Sequence, residues 1–318
     1  MNSPALSVIV PTFNRANLLD ECLESLCQQD LDDASFEIIV VDNNSRDRTP
    51  ALVAEYAAKK KNLSYVKEEK QGVANARNRG CAEARGEYLC YTDDDVVFPH
   101  EYLTTVQRII RDYAPDFLGG PVYPRYGSNK PRWFKDDYIS RKRHEVSGFS
   151  TTCRITGVNY IVKKSIVQEL GGFDPRLGPL GSRVRLGEEG HFLDTYRQRT
   201  AIEQQKVYYA VELYVYHQAR ADKVRVSYQF KRGYAEGRAL IRAQSYTNDM
   251  RLSAVVKMIR QSSSRSLCQL RQEIKAQGLG GANYVHAART LFTVSGMLIE
   301  GIDRKIHGRW TQPGTSME

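Results

Sequence analysis

The chain has 318 residues, 41% of them hydrophobic and 26% charged, an ordinary globular balance with core enough for one large α/β domain or two modest ones. No apolar run reaches the roughly 18 residues that argue for a membrane-spanning helix. Strand-like sequence begins by Leu6, so no signal peptide is expected, and no internal repeat is visible. The net charge of +9 is unevenly placed: residues 1–217 carry 29 Lys and Arg against 30 Asp and Glu, whereas residues 218–318 carry 17 against 7. A near-neutral domain with a basic extension implies a polyanionic neighbour, whether anionic lipid, nucleic acid or a phosphorylated substrate. The six cysteines (Cys22, Cys27, Cys81, Cys90, Cys153, Cys268) form no C-x-x-C pair, and several sit in apolar patterns. Reduced, buried thiols and a cytoplasmic setting are therefore expected, in place of disulfides or zinc.

In chain order, Leu6–Thr12 is a short β-branched run with Pro11 near its end, the pattern of a buried parallel strand. Leu18, Leu19, Cys22, Leu23 and Leu26 then recur at helical spacing. Phe36–Val41 is a second buried strand ending in Asp42-Asn43-Asn44-Ser45, after which Asp47 or Thr49 caps a predicted helix to about Lys60. Leu63–Lys67 is a third strand. Gln71-Gly72-Val73 leads into a helix over Ala74–Arg85 that Gly86 closes, and Tyr88–Thr92 is a fourth strand stopping at Asp93-Asp94-Asp95. The order β-α-β-α-β-α-β, in units of roughly 20–30 residues, predicts a mainly parallel, doubly wound sheet with right-handed crossovers.

Next come a helix over Pro99–Tyr113, a strand over Phe117–Tyr123, and a loop-like stretch, 124–150, with Trp133 and Phe134 as exposed aromatics. A strand over Gly157–Lys163 and a short helix over Ser165–Leu170 precede Gly171-Gly172-Phe173-Asp174-Pro175. A Gly-rich loop, 178–187, leads to a helix from Glu188 to about Arg199, and a strand over Val207–Tyr216 ends at His217. The last third is helical. Arg251–Lys275 sets Leu252, Val255, Val256, Ile259, Leu267, Leu270 and Ile274 on one side with Arg and Lys opposite, and Tyr284–Ile306 is a further apolar-faced segment. The tail after Arg309 is expected to be disordered.

Three carboxylate features follow strand ends: Asp42, the Asp93–Asp95 triplet, and Glu188-Glu189 after the Gly-rich loop. Strand ends of a parallel sheet converge on one crevice. Three adjacent carboxylates repel one another and call for a partner, and a divalent cation completing its shell with water and phosphates fits that need. Taken singly, Asp42 is a turn or helix cap, Glu188-Glu189 a helix N-terminus, and His217 a structural hydrogen bonder. Jointly, a charge cluster for metal, an acid pair for proton transfer and a late imidazole suit a metal-assisted displacement on a diphosphate.

The motifs Leu6–Arg15 (Leu-Ser-Val-Ile-Val-Pro-Thr-Phe-Asn-Arg), Ile38–Ser45, Gly72–Asn78 (Gly-Val-Ala-Asn-Ala-Arg-Asn), Tyr91–Asp95, Gly171–Pro175 and Gly187–Phe192 together resemble family 2 glycosyltransferases of the GT-A fold. They occur in the family's order from about residue 6 to 217. The resemblance implies a GT-A nucleotide-sugar-binding domain over 1–219 and a basic helical extension over 220–318. It implies that Pro11, Thr12 and Asn14 form the first-strand loop against the nucleotide, that Asp42 reads the uracil edge with Asn44 nearby, and that Arg77 sits by the base or diphosphate. Asp93 or Asp94 would touch the ribose, and Asp95 would bind Mn²⁺ or Mg²⁺ with His217 reaching the metal or diphosphate. The family's usual Glu-Asp pair is Glu188-Glu189 here, one methylene longer at the second position, with Glu189 the favoured base and Glu188 the alternative.

What this implies is an inverting transfer from a nucleotide-sugar, with UDP the expected nucleotide, to a hydroxyl of a glycan or lipid-linked acceptor. Two rivals stand beside it. A nucleotidyltransferase would carry a Gly-rich basic loop after the first strand, where this chain has Pro-Thr-Phe-Asn-Arg. A non-catalytic nucleotide- or glycan-binding module would not need the acid pair and His217. The extension shows no nucleic-acid signature, so no nucleic-acid partner is expected. Its apolar stripes are expected to pack on the neighbouring domain or a second subunit, or to lie on an anionic membrane as a peripheral contact.

Overall fold

In the computed structural model of the chain, residues 4–127, 130–139, 144–181, 183–245 and 281–307 are described. β1 (Leu6–Thr12) and β2 (Phe36–Asp42) are buried at every position, the condition of strands covered on both faces. β1 pairs in parallel with β2 on one side and with β4 (Tyr88–Tyr91) on the other, and β3 (Leu63–Lys67) extends the parallel set beyond β2. The crossovers are α1 (Ala16–Cys27), α2 (Thr49–Lys59) and α3 (Val73–Glu83). Alternation along β1 separates two cores. Val8 and Val10 join Leu19, Leu23 and Val53 on one face, while Ile9 joins Ile39, Ala76 and Phe173 on the other.

Beyond the acidic triplet lie the two-residue β5 (Val96–Val97), α4 (Tyr102–Tyr113), β6 (Phe117–Gly119), β7 (Val122–Arg125), β8 (Gly148–Phe149) and β9 (Tyr160–Lys163). α5 (Lys164–Glu169), α6 (Glu188–Arg199), β10 (Val207–Tyr209) and β11 (Val215–Gln218) follow. The large sheet runs β3-β2-β1-β4-β9-β6-β10-β8, and a small one runs β5-β11-β7. β9 is antiparallel to both β4 and β6, so the sheet is parallel in its first half and mixed in its second.

Three strands expected from the sequence are divided differently. Phe117–Tyr123 is two strands, β6 in the large sheet and β7 in the small one, broken at Gly120-Pro121. A Cβ on Gly120 would collide with the carbonyl oxygens of Leu213 and Ala210, so the chain switches sheets where two backbones touch. Val207–Tyr216 likewise divides into β10 and β11, one strand in each sheet. Gly157–Asn159 is a turn of 3₁₀ helix ahead of β9. Runs of alternating apolar residues carry no mark of such a switch. Phe134, read as exposed, is buried.

The chain divides into two compact units, Met1–Asn129, Asp136–Arg183 and Glu188–Arg220 forming one, and Lys130–Lys135, Val184–Gly187 and Ala221–Glu318 the other. In the second, helices Val226–Ser245 and Gly281–His307 pack so closely that a Cβ on Gly237 would strike the Thr293 carbonyl. Phe230 stacks on Phe292 at 4.9 Å, and Arg238 Nη2 meets Glu300 at 2.7 Å. Leu291, Phe292, Leu298 and Ile299 stay exposed on the later helix. The apolar stripe expected over Arg251–Lys275 lies outside the described residues. Among the described residues, no helix is long and apolar enough to cross a membrane, and Cys22, Cys27, Cys81, Cys90 and Cys153 are free thiols.

Candidate active site

The three acids that end the β4 segment are each given a different cation. Asp94 is buried, and its Oδ2 accepts from Thr12 Oγ1 at 2.8 Å while its Oδ1 accepts from Arg15 Nη1 at 3.0 Å. Burial pushes the Asp94 carboxyl up to about 6, against the pull of Arg15 and with a further push from Asp95. Burial alone would lower Arg15, but Asp94 and Asp95 raise it overall. Asp95 has no exposed surface. His217 Nε2 stands 3.0 Å from its Oδ1, and Arg220 Nη1 is 3.8 Å from its Oδ2. β11 brings the imidazole there: His217 is the register partner of Val96 in β5, and Gln218 N donates to the Asp95 carbonyl at 2.9 Å. Asp93, one-third exposed at its side chain, accepts from Arg77 Nη2 at 3.3 Å. The repulsion that three adjacent carboxylates impose is answered by Arg15 just ahead of α1, Arg77 of α3 and Arg220 after β11, with the His217 imidazole beside Asp95.

The first two strand-end loops interlock. Asn14, with φ of +53°, accepts from Arg46 N at 2.7 Å through its side-chain oxygen, and its own N–H donates to Ser45 Oγ at 2.9 Å. Asp42 is buried and acts from beneath: Oδ1 accepts from Ser45 N, and Oδ2 from the Tyr65 hydroxyl, both at 2.8 Å. Asn44 takes the left-handed conformation in this turn, with φ of +71°. A cleft opens between these loops and the triplet, lined by Pro11, Thr12, Arg15, Asn43, Asp93 and Asp94 among others. Its floor is stiffened by Asn43, whose Nδ2 donates to the Glu68 and Lys70 carbonyls and whose Oδ1 accepts from Gly72 N.

Glu188 opens α6 and is buried, its Oε1 accepting from Arg77 Nη1 at 2.8 Å. Gly178, at φ of +76°, lies so close that a Cβ there would be 2.8 Å from Glu188 Oε2. Burial, followed by the neighbouring Glu189 charge, pushes Glu188 up to about 8 in spite of Arg77. Burial would lower Arg77, but Glu188 and Asp93 raise it overall. Glu189 is half-buried, beside Gly157, where a Cβ would stand 3.3 Å from Glu189 Oε1 and 2.8 Å from Arg77 Nη2.

The sequence-predicted residues thus fall into three linked groups in the first unit: Pro11, Thr12 and Asn14 with the turn after Asp42; Asp95 with His217; and Glu188-Glu189 joined through Arg77 to Asp93. Asp42 and Arg77, expected against the nucleotide, are buried and are not among the side chains lining the cleft. Sequence reasoning passed over Arg15, Asn43, Gly157 and Arg220. Arg15 and Asn43 sit inside motifs quoted above, and Arg220 lies three residues after His217. Gly157 gave no local signal, because its neighbours Arg77 and Glu189 are distant in the chain.

A cation site can be tested against these side chains. A carboxylate oxygen and an imidazole nitrogen converge at Asp95 and His217, a donor set that suits a divalent transition metal. Among the described residues, no group of three or more His, Cys, Asp and Glu is placed to hold a metal ion. Two protein donors would leave the rest of an ion's shell to phosphate oxygens and water.

A half-parallel, half-mixed α/β sheet with acids at its strand ends is the GT-A architecture. The chain belongs to glycosyl transferase family 2, whose profile matches residues 7–171. It is 32% identical over 154 residues to a GalNAc(5)-diNAcBac-PP-undecaprenol beta-1,3-glucosyltransferase of Campylobacter jejuni, covering 46% of this chain and 49% of that one. The matched stretches cover 57%, 36%, 21% and 49% of the length of four of its curated relatives. Its fold is similar to that of the mannosyltransferase PcManGT from Pyrobaculum calidifontis, solved with GDP-Man and Mn²⁺, at a TM-score of 0.59 and 19% identity, over 96% of this chain and 88% of that one. It is similar also to TarS 1–349 of S. aureus, solved with UDP-GlcNAc, at 0.56 and 18%, over 96% and 93%.

Proposed function

We propose that the chain is an inverting glycosyltransferase that moves a sugar from a nucleoside diphosphate, with UDP as the expected nucleotide, to a hydroxyl of a glycan or lipid-linked acceptor. The observation that carries the reading is the pairing of two acid sites of different character, linked through Arg77. One is an acidic triplet whose Asp95 meets His217 at 3.0 Å, and the other an acid pair with one buried and one half-exposed member. The similar proteins supply consistent chemistry, one named for a lipid-diphosphate-linked substrate and two solved with nucleotide-sugars.

Asp95 and His217 would hold the divalent cation, with Arg220 adding positive charge behind Asp95. Such an ion, when bound, supplies Lewis acidity against the charge that develops on the departing diphosphate. The rest falls to the chain's own side chains. Thr12 and Arg15 hold Asp94 in the cleft wall, leaving the loop over Pro11–Asn14 to face the nucleotide. Glu189 takes the acceptor hydroxyl proton as the acceptor oxygen bonds to the anomeric carbon and the bond from that carbon to the diphosphate breaks. Its half-exposed carboxylate can meet an incoming acceptor, whereas Glu188 is engaged by Arg77 in the interior, and this favours Glu189 as the base.

The test is turnover of a UDP-sugar by the full chain with Mn²⁺, following UDP release. Glu189→Gln is expected to retain UDP affinity and lose roughly 10²-fold or more in turnover. If Glu188→Gln shows that loss while Glu189→Gln stays active, the base is Glu188.

A further inference from the structure

Arg77 lies on the buried face of α3 with Ala74, Ala76 and Gly80. A Cβ on Gly80 would collide with Ile9, so α3 sits tight against β1 and the root of the Arg77 side chain is held. The guanidinium makes two ion pairs and one ring contact. It donates to Glu188 at 2.8 Å and to Asp93 at 3.3 Å, and it lies over the Phe173 ring at 5.5 Å from the centroid. The next residue, Asn78, grips the same late segment: its Nδ2 donates to the Phe173 carbonyl, and its Oδ1 accepts from Phe173 N, both at 2.8 Å. Consecutive residues of one helix therefore fasten the Gly171–Pro175 turn and the start of α6.

We propose that Arg77 is a positioning residue for the acid pair: its fork ties Glu188 to Asp93, which fixes the N-terminus of α6 and sets the Glu189 carboxylate against Gly157. The proposal rests on the glycosyltransferase reading above. Only 2% of Arg77 is exposed, and it is not among the residues lining the cleft although its neighbour Ala76 is, so a direct grip on the donor would break both ion pairs. Two acids far apart in the chain are held at once because the guanidinium presents rigid donors on separate nitrogens, which a lysine ammonium cannot reproduce. Glycine at 157 is part of the same device, since any side chain there would press on Arg77 Nη2 and Glu189 Oε1 together.

The experiment compares wild-type full chain with Arg77→Lys, Arg77→Met and the double variant Arg77→Met/Glu188→Gln. Affinity for UDP or GDP with Mn²⁺, whichever wild type binds, is measured by calorimetry, and kcat and KM by nucleotide release from the corresponding sugar donor. Arg77→Lys is expected to keep affinity and KM within about threefold and to lose about tenfold or more in kcat, as misplacement of a reacting group does. The acid limb of the Arg77→Met pH profile is expected at higher pH, because a cation has left the neighbourhood of the two acids. Arg77→Met is expected to lower the denaturation midpoint by leaving the buried Glu188 carboxyl without its hydrogen-bond partner, and the double variant to restore much of that loss without restoring kcat. Nucleotide affinity falling tenfold or more in Arg77→Lys with kcat retained would make Arg77 a donor ligand and overturn the proposal. So would equal midpoints for Arg77→Met and the double variant. Wild type that binds neither nucleotide would instead overturn the enzymatic reading on which the proposal stands.

Discussion

Replacing Gly157 by alanine adds a single methyl group where the acid pair, Arg77 and the β9 approach meet. The new Cβ would stand 2.8 Å from Arg77 Nη2, 3.3 Å from Glu189 Oε1 and 3.4 Å from Glu189 Cδ. Arg77 is a long side chain, but its guanidinium cannot swing aside freely, being held by Glu188 at 2.8 Å and Asp93 at 3.3 Å. The weaker bond should yield first. A charged hydrogen bond contributes about 1.5–3 kcal/mol at most, and less here because the Asp93 side chain is one-third exposed and solvent-screened. Overpacking of a tight site costs about 1–3 kcal/mol. Gly157→Ala is therefore expected to lose about 1–3 kcal/mol of stability and, by moving the Glu189 carboxylate a few tenths of an ångström, about tenfold or more in turnover. Urea denaturation followed by circular dichroism, with UDP release from a UDP-sugar, reads both quantities. A variant with wild-type midpoint and wild-type turnover would show that neither Arg77 nor Glu189 is held at the observed distances, and would refute the reasoning.

Asp95→Ala is expected to abolish Mn²⁺-dependent UDP binding while leaving the fold intact; calorimetry showing unchanged metal-dependent affinity would remove Asp95 from the cation site. UDP is expected to bind more tightly than CDP in the wild type; equal affinities would contradict UDP as the expected nucleotide. Glu188 is raised in the folded chain to about 8 from an ordinary carboxylate value of 4.5, so the folded state binds more protons than the unfolded one between these values. Its contribution to stability is therefore fully present below about 4.5 and is lost as pH rises through about 8. Glu188→Gln should flatten that part of a denaturation-midpoint profile, and an unchanged slope in the variant would count against a buried, proton-holding Glu188.

Much of this was legible along the chain, because the relevant physics is local. Continuous β-branched runs such as Leu6–Thr12 and Phe36–Val41 announce strands covered on both faces, and β1 is observed over Leu6–Thr12. An apolar strand that stops at three aspartates announces a strand-end site, since no core tolerates them unpaired. What the sequence left open was decided by contacts between residues far apart in the chain. Whether Val207–Tyr216 is one strand or two depends on Gly120 meeting the carbonyls of Ala210 and Leu213, a collision no local pattern records. The resemblance implied that Arg77 sits by the base or diphosphate; its seat between Asp93 and Glu188 is a long-range contact that no local pattern records. Glu188 and Glu189 are adjacent and chemically alike in the sequence. Only the packing of α3, Gly178 and Gly157 around them buries the first and leaves the second half-open, and the cost of desolvating a carboxylate then separates their chemistry.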